Sequence, residues 1–327
     1  MSSAVATSDA TFLELTEPLR RELTAHCYRM LGSVHDAEDL VQETYLRAWR
    51  SFHGFENRSS VRTWMYQIAT NVCLTALQSR SRRPLPTGLG QPSSDPQGLL
   101  ESKPDASWLE PIPDSVLWGN GGDGDPAAEV VTRESVRLAF VAALQHLTPQ
   151  QRAVVIFRDV LAWRASEVAG ALGMTTAGVN STLQRARAQL ARLAPDTASA
   201  PLDSDRARRL LDNYVAAFED YDVSRIVELL RADVVWEMPP FTGWYVGAEA
   251  IGRLIATQCP ADGPGAMRLV PTAANGQPAF AVYMRGADGR HRPFQIQQLT
   301  LTADGVSHVA AYFDLSLFRT FGLPEVL

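Results

Sequence analysis

Two stretches of this chain place cationic, polar and aromatic side chains at spacings suited to nucleic acid. From Thr175 to Leu193 there are three arginines (Arg185, Arg187 and Arg192) and no Asp or Glu. Within residues 165–187, Ser166 can cap a helix through Leu172, and Gly173 permits a turn that needs positive φ. Thr175 or Thr176 then caps a second helix that buries Val179, Leu183 and Ala186. Ala169, Gly173 and Val179 meet the steric demands of a helix-turn-helix: a small residue where helices cross, glycine in the turn, a β-branched anchor after it. The exposed side carries Thr175, Thr176, Asn180, Ser181, Gln184 and Arg185. Their hydroxyls, amides and guanidinium can meet phosphates and base edges when the second helix enters a major groove. A structural hairpin with a solvated face is the competing reading. The absence of acids along the whole stretch favours DNA.

The second stretch, Asn57–Arg83, holds Arg58, Arg62, Arg80, Arg82 and Arg83 and again no acid. The third helix and its preceding loop mix these cations with Phe52, Phe55, Trp64 and Tyr66, a mixture suited to unstacked single-stranded bases, because every base offers a π-face and a phosphate. Trp64 falls at core spacing, whereas Phe55 sits in a loop. Asn71 can hydrogen-bond a flipped base or serve as a plain surface amide, and the sequence leaves both open. Between the two stretches, Pro84–Glu134 carries nine acids against Lys103 and Arg133. The net charge of −6 therefore conceals two basic islands separated by an acidic bridge.

The elements that must hold these residues follow from periodicity. A length of 327 residues, 46% of them hydrophobic, implies two or three domains with buried cores and excludes a wholly disordered chain. The longest apolar run, Leu138–Leu144, is too short to span a bilayer, and the N-terminus has no export pattern. Cys27, Cys73 and Cys259 are far apart and unpaired by motif. That argues against a disulfide scaffold and a Cys-based zinc site and fits a reducing cytoplasm; no cofactor is expected. Phe12, Leu15, Leu19, Leu23, Cys27 and Met30 predict an amphipathic helix over 11–31, ended by Gly32. Ser33 or Asp36 caps the next helix, which carries Leu40, Val41, Tyr45 and Trp49. A third carries Val61, Trp64, Ile68, Val72 and Ala76. Pro84–Pro126 contains eight Pro and seven Gly, the composition of a linker. Trp108-Leu109-Glu110-Pro111 within it is either incidental or a segment docked on a neighbouring surface. Val136, Phe140 and Leu144 mark a further helix, and Thr148 caps another with Pro149 at its first position.

From Asp205 the texture changes. Helices through Leu210, Tyr214 and Phe218 and through Ile226 and Leu230 come first. Strand patterns follow at Val234–Met238, Ala279–Arg285, Phe294–Thr302 and Val306–Phe313, with hairpin turns at 286–289 and 303–305. This order predicts an α+β domain with a curved antiparallel sheet. A cone lined by Trp236, Met238, Phe241, Trp244 and Tyr283 could take an apolar ligand. Glu237, His308 and Asp314 are its titratable candidates. A lone strand histidine is more often a hydrogen-bonded structural residue, so no catalytic residue is assigned.

The motifs carry a resemblance. Residues Asp36-Ala37-Glu38-Asp39-Leu40-Val41-Gln42-Glu43-Thr44-Tyr45-Leu46-Arg47-Ala48-Trp49 resemble the polymerase-binding helix of sigma region 2. Val61-Arg62-Thr63-Trp64-Met65-Tyr66-Gln67-Ile68-Ala69-Thr70-Asn71 resembles its promoter-melting helix. Leu147–Arg152 and the helix-turn-helix resemble sigma region 4. The chain is thereby similar to sigma-70 family factors of the extracytoplasmic-function group. Residues 206–327 resemble a SnoaL-like, polyketide-cyclase-like domain, and the fusion is similar to the SigG-like and SigJ-like branches of actinobacterial sigma factors. The resemblance implies a multidomain architecture: sigma region 2 at 8–83, an acidic linker at 84–133, region 4 at 134–194, a hinge at 195–205 and the SnoaL-like cone at 206–327.

The roles implied are equally specific. Asp36, Asp39, Leu40, Gln42, Glu43 and Trp49 face the polymerase. Phe55, Asn57 and Asn71, with Arg58 and Arg62, take the melted minus-10 element, and the helix from Thr175 reads the minus-35 element. Asn180 stands where family members often carry Lys or Arg. The expected partners are core RNA polymerase and promoter DNA, with a possible small ligand in the C-terminal domain, no membrane, and a monomer when free. Two other classes compete: a stand-alone ligand-binding helix-turn-helix regulator, and a small-molecule isomerase or cyclase. The acidic, Leu- and Trp-bearing helix at 36–49 disfavours the former.

Overall fold

The computed structural model describes residues 11–55, 59–79, 82–118, 133–193 and 203–327. The chain forms two compact units, Met1–Arg83 with Leu109–Pro195 and Pro84–Trp108 with Asp196–Leu327. Asn57, Arg58 and Arg80, and most of the expected hinge, lie outside the described residues.

The first unit is helical. The helix expected over 11–31 is interrupted: residues 11–16 are helical, Glu17–Leu19 form a 3₁₀ turn and α1 spans Arg20–Leu31. Pro18 is the cause, since it lacks an N–H and its ring crowds the preceding turn. Gly32 ends α1 at φ 71°. Ser33 then caps α2 (Val34–Ser51), its Oγ accepting the Asp36 N–H at 3.1 Å. Ser60 caps α3 (Val61–Leu77) in the same way through Thr63. The three helices bury Leu23, Cys27, Met30, Val41, Met65, Ala69 and Val72.

The unit continues with α4 (Asp114–Trp118), α5 (Leu138–Leu144) and α6 (Pro149–Val155). A reciprocal cap between Thr148 and Gln151 opens α6, which runs on into a π-helical turn, Ile156–Val160. Next come α7 (Ala165–Leu172) and α8 (Thr176–Ala191). These later helices share a core with the first three. The Phe157 ring lies 5.4 Å from that of His26, and Trp163 lies 5.7 Å from Tyr66. Two buried arginines bridge the joint. Arg29 donates to Ser135 Oγ at 2.8 Å, and Arg152 donates to the Met30 carbonyl and to Gln145 Oε1. Neither pairs with a carboxylate among the described residues, and burial lowers each guanidinium to about 10.

The second unit packs α9 (Ser204–Glu219), α10 (Val223–Leu229) and α11 (Ala248–Gln258) with a six-stranded sheet; α12 (Ser316–Thr320) follows it. Its strands are β1 (Leu230–Glu237), β2 (Trp244–Val246), β3 (Met267–Ala274), β4 (Gln277–Arg285), β5 (His291–Thr302) and β6 (Gly305–Tyr312), in the order β2-β1-β6-β5-β4-β3. Every neighbouring pair is antiparallel except β1–β6, which is parallel. The sheet is therefore mixed rather than wholly antiparallel. Local turn signals set the β3–β4–β5–β6 meander, whereas β1 joins it from far along the chain. Tyr214, Phe218, Trp236, Phe280, Val282, Leu299 and Val309 form the core on one face.

The stretch read from its Pro and Gly content as a linker is structured over 82–118. Pro84–Trp108 belongs to the second unit and Leu109–Trp118 to the first. Leu85, Trp108, Leu109, Ile112 and Leu117 are buried, so apolar residues spaced along the acidic stretch anchor it despite its turn-rich composition.

Candidate nucleic-acid interface

The turn before α8 has the geometry its residues require. Gly173 adopts φ 62°, and Thr175 Oγ1 accepts the Gly178 N–H at 3.0 Å, so Thr175 is the cap. The preceding helix starts earlier than expected from Ser166. Arg164 stands at its N-cap position and donates its backbone N–H to Glu167 at 2.6 Å. Val179, Thr182, Leu183 and Ala186 are buried, while Thr175, Thr176, Asn180, Ser181, Gln184 and Arg185 are all exposed. Arg187, behind that face, is held by Asp159 through two hydrogen bonds of 2.6 and 3.0 Å. The result is a rigid helix with a neutral-to-cationic polar stripe, braced by an ion pair on its flank.

At the other basic island, Phe55 packs on Trp64 with ring centroids 4.8 Å apart, and Phe52 lies 6.3 Å from Trp64. Trp64 is half-buried, so it completes an aromatic shelf. Asn71 is exposed seven residues further on, two turns along the same side of α3 and about 10 Å from Trp64. Arg62 lies round the helix from Asn71. It donates to Glu22 at 2.7 and 2.9 Å and sits 5.2 Å over the Tyr66 ring. The Tyr66 hydroxyl also donates to Glu22, and burial drives its phenol above the usual range. The structure thus brings Phe55, Trp64 and Asn71 to one side and engages Arg62 elsewhere. Spacing alone assigned Trp64 to the core; its i, i+7 relation to Asn71 was the available signal.

On α2, Asp39, Gln42, Glu43 and Trp49 fall on one outer stripe, with Leu40 half-buried at its margin. Leu46, missed by the sequence reading, stands in the same stripe and is 50% exposed, beside Trp49 at 49%. Exposed Leu and Trp on an acidic helix are the kind of apolar patch that a partner protein can cover. Asp36, in the first turn, is half-buried and bound to Arg83 at 2.6 Å.

In the second unit the candidate pocket residues do not converge on one cavity. Trp236 belongs to the core face, and Glu237, next along the strand, points the opposite way. Glu237 is 2% exposed, its Oε1 2.8 Å from His308 Nε2 and its Oε2 accepting the Thr87 N–H at 2.8 Å. Tyr283 packs on Phe318 and donates to the Pro324 carbonyl. Trp244 donates to the Gln91 carbonyl, and Phe241 meets Phe313 edge to face. Asp314 caps the turn at Ser316. The acid–histidine pair exists, but both carboxylate oxygens are committed.

Comparison with known proteins gives the family. Residues 15–83 match the model of Sigma-70 region 2, 137–190 that of Sigma-70 region 4, and 211–309 that of a SnoaL-like domain. Over 315 residues the chain is 60% identical to the ECF RNA polymerase sigma factor SigG of Mycobacterium tuberculosis (strain CDC 1551 / Oshkosh), covering 95% of this chain and 84% of the relative. The chain belongs to the extracytoplasmic-function sigma factor family. It is also 30% identical to SigJ of Mycobacterium tuberculosis (strain ATCC 25618 / H37Rv) over 286 residues, 84% of this chain and 82% of that one. The crystal structure of Mycobacterium tuberculosis SigJ has the same fold, at TM-score 0.61 and 24% identity, covering 95% of this chain and all of that one. The chain is accordingly a sigma factor rather than an enzyme.

Proposed function

We propose that this sigma factor binds core RNA polymerase through α2 and selects promoters by reading the minus-35 element with α8 and capturing the melted minus-10 element with the shelf of Phe55 and Asn71, joined by Asn57 and Arg58, while Arg62, held by Glu22, stands outside that shelf. The C-terminal unit regulates that activity. The observation that carries the reading is the α8 face: Thr175, Thr176, Asn180, Ser181, Gln184 and Arg185 are all exposed on one capped helix. Extruding a base costs a few kcal/mol, and stacking on aromatics returns roughly 1–3 kcal/mol per base, so the shelf offsets much of the melting cost.

The two elements are about 25 base pairs apart, or about 85 Å at 3.4 Å per pair. A compact unit of this size is only about 40 Å across. Region 2 and region 4, joined here through Arg29, Arg152 and Phe157, therefore separate when both elements are engaged. Run-off transcription with core polymerase tests the reading. Full-length protein supports initiation from a cognate promoter, and the combined Asn180→Ala, Gln184→Ala, Arg185→Ala variant loses it while still binding core enzyme. Full retention of promoter-specific transcription by that variant would overturn the assignment of α8.

A further inference from the structure

The chain leaves the helical unit after Arg83 and returns at Leu109; the 25 residues between, Pro84–Trp108, are carried by the C-terminal unit. At the root of this excursion the two flanking residues meet. Arg83 Nη1 lies 3.5 Å from Glu110 Oε1, and its Nη2 donates to Asp36 Oδ2 at 2.6 Å. Glu110 Oε2 accepts the Ser33 hydroxyl at 2.7 Å and the Val34 N–H at 3.1 Å, and lies 3.1 Å from His35 Nδ1. The Glu110 N–H donates to the Gly32 carbonyl, and Tyr28 Oη donates to the Glu110 carbonyl. All of these contacts fall on the α1–α2 corner and the first turn of α2.

The first amides of a helix have no partner inside it. Ser33 satisfies Asp36; Glu110, 76 residues away in sequence, satisfies Val34. A carboxylate is welcome at this positive helix end. Two of them, Asp36 and Glu110, both largely withdrawn from water, are compatible because Arg83 lies between them. The excursion itself is fastened to the C-terminal unit by backbone bonds: Ser94 N–H to the Trp244 carbonyl at 2.7 Å and Lys103 N–H to the Pro240 carbonyl at 2.8 Å. A loop already ordered on a scaffold has less freedom to lose when its ends are pinned, so fastening the strap favours closing the root.

We propose that Arg83 and Glu110 are positioning residues for the polymerase-facing helix, and that the Pro84–Trp108 strap couples their clasp to the C-terminal unit. The inference rests on the reading that α2 meets polymerase. Its test begins with hydrogen exchange on the free full-length chain. Glu110→Ala speeds exchange at the Val34 amide about fivefold, the loss of one helix cap. Glu110→Gln, which keeps an acceptor but not the charge, restores part of the protection. Ser94→Pro with Lys103→Pro, which deletes two strap donors that bond only within the C-terminal unit, speeds exchange at Val34 about threefold or more. Glu110→Ala also weakens binding to core polymerase about fivefold, with the melting temperature of the C-terminal unit unchanged. Wild-type exchange at Val34 in Glu110→Ala overturns the clasp, and wild-type exchange in the double proline variant overturns the coupling. A wild-type chain that binds no core polymerase defeats the functional reading instead, and the exchange measurements still judge the clasp.

Discussion

His26 shows how much a single buried side chain constrains. Thr70 donates its hydroxyl to the Tyr66 carbonyl at 2.7 Å, so at 2.9 Å His26 Nε2 must be the donor to Thr70 Oγ1. Nδ1 is then a bare acceptor, buried without a partner among the described residues. Burial, with Arg29 nearby, lowers this imidazole to about 3. A histidine neutral in the folded state but protonated below about 6.5 in the unfolded chain costs stability as pH falls through that window, at about 1.4 kcal/mol per unit. Stability is fully present above pH 6.5 and declines from there towards pH 3. Denaturant titrations at pH 7.5 and pH 5 should therefore differ by about 2 kcal/mol more in the wild type than in His26→Gln. Equal pH dependence would show that the joint opens before His26 titrates. At the proposed DNA face of α8, Arg185→Ala is expected to flatten the plot of log affinity against log salt by about one counterion. Asn180→Ala, which removes no charge, should leave that slope alone and relax base preference, as competition binding with altered minus-35 duplexes would read out.

At the scale of elements, two glycines end helices in the left-handed conformation, and their surroundings differ. A Cβ at Gly173 would meet nothing within 4 Å, so Gly173→Ala bears only the conformational penalty, about 1 kcal/mol. A Cβ at Gly32 would fall 2.7 Å from Leu109 Cδ1 and 3.1 Å from Gln145 Nε2. Gly32→Ala must therefore also shift the buried Leu109 and Gln145 side chains and should lower the melting temperature clearly more than Gly173→Ala, as differential scanning calorimetry can compare. The sequence signal at both positions was the same: a glycine after an apolar-periodic run. What differed was the neighbour, and Leu109 lies far along the chain. The same holds for α2. Its stripe of Asp39, Gln42, Glu43 and Trp49 follows from 3.6-residue periodicity, but Glu110, which takes the Val34 amide in its first turn, has no local signature.

For the whole molecule, the helical unit joins region 2 to region 4 through a core with two buried guanidiniums that have no counter-charge among the described residues. Burying charge without a partner is expensive, so this joint is held by its aromatic contacts and hydrogen bonds against a standing cost. Such a joint is well suited to opening when both promoter elements are bound. Donor and acceptor dyes placed beside Asn71 and Gln184 should show high transfer efficiency in the free protein and low efficiency in the promoter complex. Unchanged efficiency would mean that the two regions engage DNA without parting.

The main helical stretches, the cap at Thr148, the turn at Gly173 and the polar face of α8 were determined by the sequence alone, and the caps at Ser33 and Thr175 were narrowed to one of two residues, because each depends on side chains within about one turn of the backbone they act on. The aromatic shelf was half legible, since Phe55 and Asn71 could be named as its members but Trp64, whose ring supports Phe55, fell at core spacing. Tertiary structure alone decided the parallel pairing of β1 with β6, the side of the sheet on which Glu237 and His308 meet, the path of the strap and the capping of α2 by Glu110. Those choices depend on which buried surfaces close against one another. Packing free energy summed over a whole unit sets them, and no window of neighbouring residues contains it.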